Sequence, residues 1–93
     1  MQKYVIERTV PGAGQMDAAA LAAIAAQSNA VLRDLGPDVQ WVHSYVSDDK
    51  IVCIYNAEHE DIIREHGRCG GFPVDVIHEV RAIIDPTTAA LFK

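Results

Sequence analysis

The side chains of this 93-residue chain best able to ligate a metal or move a proton are densest at Ile62-Ile63-Arg64-Glu65-His66-Gly67-Arg68-Cys69-Gly70-Gly71-Phe72-Pro73. There a helix ends with carboxylate, imidazole and thiol beside a Gly-Gly-Phe-Pro loop. Cys69 lies just beyond the helical stretch and can fold back toward His66 or Glu65, so these three form the candidate metal set: His66, Glu65 and Cys69. A lone H-x-x-C is not a zinc signature. The competing reading is structural, with His66 favoured by the helix C-terminal dipole, Cys69 packed as a small residue, and the glycines and proline as a helix stop. His59, Ile62, Ile63 and His66 recur at i, i+3, i+4, i+7, which places both imidazoles beside the apolar stripe. They cannot share an ion, because seven residues of helix rise about 10 Å. Glu58, Asp61 and Glu65 form a carboxylate stripe, but Glu58, Glu60 and Asp61 also suit a helix N-terminus, and Glu60 with Arg64 is an i, i+4 pair.

Other chemistry is sparser. His43 between Trp41 and Tyr45 is a candidate acid or base on a ligand-binding sheet surface, weighed against a place in an interface or core. Cys53 has no histidine near it in sequence. Pro11-Gly12-Ala13-Gly14 matches neither the dinucleotide nor the P-loop spacing and reads as a turn.

The elements that position these groups follow from periodicity. Lys3 to Glu7 reads as a strand. Asp17 caps a long helix whose Leu21, Ile24, Ala25, Ser28, Val31 and Leu32 share a face, and Gly36-Pro37 stops it. Val39 to Val46 and Lys50 to Tyr55 are strands around a Ser47-Asp48-Asp49 turn. Glu58 to Arg68 is a second helix and Val76 to Ile84 the last strand; Asp85-Pro86-Thr87-Thr88 then turns into a tail suited to cover a neighbouring surface.

This βαββαβ order is the ferredoxin-like α+β arrangement: one domain over 1–93, a four-stranded antiparallel sheet with two helices on one face. A symmetric hairpin sets Val46 opposite Ile51, Ser44 opposite Cys53 and Val42 opposite Tyr55, beneath the helices. Trp41, His43, Tyr45, Val52 and Ile54 then lie on the open face, joined by Glu7, Glu79 and Arg81; a one-residue bulge would reverse this assignment. Both faces carry apolar residues, so a second copy is expected to cover the open one, giving a homodimer.

Composition bounds the partners. Hydrophobic residues make up 49%, enough for one core, and a net charge of −5 disfavours a nucleic-acid partner. No run approaches the ~18 apolar residues of a membrane span. With two cysteines and no CxxC, the reading is a reduced, cytoplasmic protein.

Tyr4-Val5-Ile6-Glu7-Arg8, Pro11-Gly12, Trp41, Ser44-Tyr45-Val46, Asp48-Asp49-Lys50, Cys53, Tyr55, Ile63-Arg64-Glu65-His66, Gly71-Phe72-Pro73 and Ile83-Asp85-Pro86-Thr87 together resemble a small bacterial family typified by a nickel-binding protein. The resemblance implies a dimeric ferredoxin-like domain that binds nickel or another divalent ion, with no established enzymatic activity, and it points first to Glu65-His66. His43, His59, Cys69 and His78 fall outside the family pattern. Imidazole and carboxylate suit Ni(II), with affinity falling as pH drops through about 6.5. The expected function is divalent metal binding for buffering, storage or sensing. The alternatives are a small dimeric α+β barrel enzyme or ligand-binding protein using His43, His66 and Tyr45, and a structural interaction domain.

Overall fold

The periodicities produce the expected elements with shifted ends. In this computed structural model, which describes residues 1–92, β1 spans Gln2–Thr9, α1 Ala18–Leu35, β2 Val39–Val46, β3 Lys50–Ala57, α2 Glu60–Gly70 and β4 Val76–Glu79. The strands lie in the order β2-β3-β1-β4, each neighbour antiparallel, which is the ferredoxin-like topology. Asp17 does cap α1, its carboxylate accepting from the Ala20 amide at 2.8 Å. Gly36 (φ 87°) stops α1 and Gly71 (φ 71°) stops α2 in conformations that favour glycine. Short 3-10 turns occupy Ala13–Gln15 and Pro86–Phe92.

The helices cover the face that carries Tyr4, Ile6 and Arg8 from β1 and Ile51, Cys53 and Tyr55 from β3, all buried. Ile63 of α2 closes the core from above. Ser44 opposite Cys53 and Val46 opposite Ile51 are as expected. Trp41 is not. The register slips between Trp41 and His43, so Trp41 faces Tyr55 and packs against the core, while Val42 is the extra residue. The bulge puts residues three apart on one face, and the Trp41 indole N–H donates to Ser44 Oγ at 2.9 Å. Because the slip lies near the start of β2, it puts Trp41 in the place opposite Tyr55 expected for Val42 and leaves His43 and Tyr45 on the open face.

β4 also departs from expectation. It ends at Glu79 rather than Ile84, and its pairing sets Glu79 beside Tyr4 and His78 beside Val5. His78, not Glu79, therefore shares the open face with Glu7, and Arg81 lies beyond the strand. Charge alternation misled here because β4 is an edge strand whose residues on both faces reach water. α2 begins at Glu60, with His59 as its exposed N-cap rather than a flank of its apolar stripe.

Candidate functional site

The three expected ligands sit on two sides of α2. Glu65 and Cys69 are together on the outer side, where the Cys69 thiol donates to Glu65 Oε1 at 3.4 Å. Arg68 holds both carboxylate oxygens of Glu65, Nε donating to Oε2 at 3.0 Å and Nη2 to Oε1. The guanidinium keeps the Glu65 carboxyl below its ordinary range, and the neighbouring carboxylate raises the Cys69 thiol. A thiol held protonated is a poor metal ligand. His66, one residue on, turns inward and is fully buried. Among the described residues no three His, Cys, Asp or Glu side chains of one copy converge on a possible ion.

His66 belongs to a buried polar cluster. Its Nε2 lies 3.0 Å from Ser28 Oγ of α1, while its Nδ1 is buried without a partner. Its ring lies between those of Tyr55 and Phe72, at centroid distances of 5.5 and 5.4 Å. Arg8 fills the space beside them, donating to the Pro73 carbonyl at 2.6 Å, the Tyr55 hydroxyl at 3.3 Å and Cys53 Sγ at 3.4 Å. Burial, reinforced by the Arg8 charge and opposed by the Ser28 contact, lowers the His66 pKa to about 4. The imidazole is thus neutral at pH 7, and burial raises the Tyr55 hydroxyl. Among the described residues no pocket opens at this cluster. Sequence reading passed over Arg8 and Ser28 as buried polar groups. The available signals were Arg8 continuing the Tyr4, Ile6 alternation and Ser28 lying within the apolar stripe of α1.

The open sheet face offers different donors. His78 Nε2 of β4 lies 2.8 Å from Glu7 Oε2 of β1, and Lys50 of β3 approaches Glu7 Oε1 at 3.5 Å. The His78 bond lowers the Glu7 carboxyl first, aided by Lys50. Toward the other edge, His43 Nε2 lies 3.0 Å from the Tyr45 hydroxyl. Around these polar pairs stand Tyr45 and Val76, 63% and 40% exposed, with half-buried Val5, Val52 and Ile54. The chemistry available is an imidazole–carboxylate pair on a largely apolar sheet, fitting divalent-cation ligation once further donors arrive from water or another chain.

Fold and surface together define a small ferredoxin-like α+β domain with one sheet face uncovered by its own helices. The chain belongs to the family described as nickel responsive protein SCO4226-like, whose profile matches residues 4–80. Its fold is similar to the crystal structure of SCO4226 from Streptomyces coelicolor A3(2), with a TM-score of 0.74 and 16% identity over 88% of this chain and 99% of that one. No curated protein matches the chain. The family description ties the chain to nickel response, and no helix among the described residues is long and apolar enough to cross a membrane.

Proposed function

We propose that this protein binds nickel or a related divalent cation as a homodimer, serving metal buffering, storage or sensing in the cytoplasm. The observation that carries the reading is the His78–Glu7 pair at 2.8 Å on the open face; the family description points to nickel as the ion, while a site on His78, which lies outside the family pattern, is particular to this chain. A neutral imidazole and an ionised carboxylate are suitable Ni(II) donors, and water or a second copy completes the shell. Ligation requires an imidazole free of the extra proton and an ionised carboxylate, so binding weakens on acidification. The apolar residues around the pair support covering of this face by a second copy.

A second reading puts the ion at the end of α2, on Glu65 and Cys69, with His66 as a third donor if the helix end turns it outward. The 3.4 Å thiol–carboxylate contact favours it. Against it stand the Arg68 clamp and the burial of His66.

Calorimetric titration of tag-free protein with nickel and zinc at pH 7.5 separates the two. Saturable binding abolished by His78→Ala and retained by Cys69→Ser supports the sheet-face site. The reverse pattern moves the site to α2, and no binding by the wild type overturns both.

A further inference from the structure

Beyond β4 the chain runs on as an arm that touches little of its own fold. Ile83, Ile84, Leu91 and Phe92 are 72%, 80%, 72% and 95% exposed, four large apolar side chains within ten residues. Yet the arm is locally built. The Asp85 carboxylate accepts from the Thr87 amide at 2.8 Å and the Thr87 hydroxyl at 2.6 Å, and the Asp85 amide donates to Thr88 Oγ1 at 2.9 Å. These bonds nucleate the 3-10 turn Pro86–Phe92, which presents Leu91 and Phe92. The match to the family profile ends at residue 80, before this turn.

The molecule therefore has two exposed apolar surfaces: this arm, and the open sheet face with Tyr45 and Val76. The arm departs from β4, one edge of the sheet, while His43 and Tyr45 lie on the open face of β2, the opposite edge. We infer that the arm of one copy docks on the open sheet face of a second copy, Ile83, Ile84, Leu91 and Phe92 packing against the partner's β2 side of that face. This rests on the homodimer proposed above and names the element that clasps it.

Reach and symmetry agree. Five extended residues span about 17 Å and seven in a 3-10 helix about 14 Å, whereas four strands at about 4.8 Å spacing are only about 14 Å across. An arm anchored at one edge can cross the whole face of a stacked partner. A two-fold axis then makes the contact reciprocal, each arm covering the other copy's face, which closes the assembly at two.

The test uses the full chain. Sedimentation equilibrium of the wild type and of L91D/F92D gives the dimer constant, and circular dichroism checks that the variant folds, its altered side chains lying outside the core. In parallel, Phe92→p-benzoylphenylalanine is photocrosslinked in a mixture of ¹⁵N-labelled and unlabelled protein. The expected results are a dimer weakened at least about tenfold in L91D/F92D and crosslinks between labelled and unlabelled chains within Gln40–Tyr45 or the neighbouring open-face residues of β3. A wild-type dimer that L91D/F92D leaves unchanged, or crosslinks confined to one chain, overturns the clasp while leaving the dimer standing. A wild type monomeric at all concentrations overturns both.

Discussion

Acidification from pH 6.5 to 4.5 destabilises the fold by about 2 kcal/mol through His66. Above pH 6.5 the imidazole is neutral whether the chain is folded or not, and the residue contributes its full stability. Below 6.5 the unfolded chain takes up a proton that the buried ring, with a pKa of about 4, refuses. Each pH unit in that window then removes at most about 1.4 kcal/mol of stability. The lowered carboxyls of Glu7, Glu65 and Asp85 also lose stability on acidification, but through their own lower range, below ordinary values of 4.5, 4.5 and 3.8. The interval from 6.5 to 4.5 therefore isolates the histidine from these three. The assay is urea unfolding, followed by circular dichroism, at half-unit steps and fixed protein concentration, because dimerisation makes stability concentration-dependent. The control is His66→Phe with Ser28→Ala, which removes the titrating group and its partner and sets a phenyl ring between Tyr55 and Phe72. The wild type should lose about 2 kcal/mol over the interval and the control most of that less. Parallel pH profiles would mean that the loss arises elsewhere than at His66.

Asp17→Ala removes the cap on the Ala20 amide and should cost about 1 kcal/mol by thermal melting. Gly67→Ala would set a Cβ 2.7 Å from Val74 Cγ2 and 3.0 Å from the Phe72 carbonyl oxygen, so a loss of about 1–3 kcal/mol in urea is expected. Arg8→Met strips the Pro73 carbonyl and Tyr55 hydroxyl of their donor and should cost about 2 kcal/mol. It also removes a charge that lowers His66, so the His66 pKa, read by NMR of the ring protons, should rise above the wild-type value.

The fold was legible because each helix announces both its ends. Asp17 and Gly36-Pro37 bracket α1, Gly70-Gly71 closes α2, and the alternation Tyr4, Ile6 and Ile51, Cys53, Tyr55 marks the buried side of the central strands. The site was legible only in part. Glu65 and Cys69 meet because i and i+4 share a helix face, whereas His66 lies about 100° around the axis from Glu65 and is carried into the core. Trp41 was assigned to the wrong face, because a bulge leaves no mark in a run of β-branched and aromatic residues. His78 was assigned to the wrong face because the short edge strand β4 exposes charged residues on both sides, so polarity there does not report direction. The buried Arg8 illustrates the converse. Its charge suggests surface, but its register is that of Tyr4 and Ile6, and its acceptors come from β3 and from the loop after α2.

Nickel K-edge X-ray absorption of the tag-free, nickel-loaded protein at pH 7.5 tests the sheet-face site most directly. The expected result is a first shell of nitrogen and oxygen donors with the outer scattering of an imidazole ring, and loss of that imidazole signature in His78→Ala. A nickel–sulfur shell, or an imidazole signature untouched by His78→Ala, would contradict it.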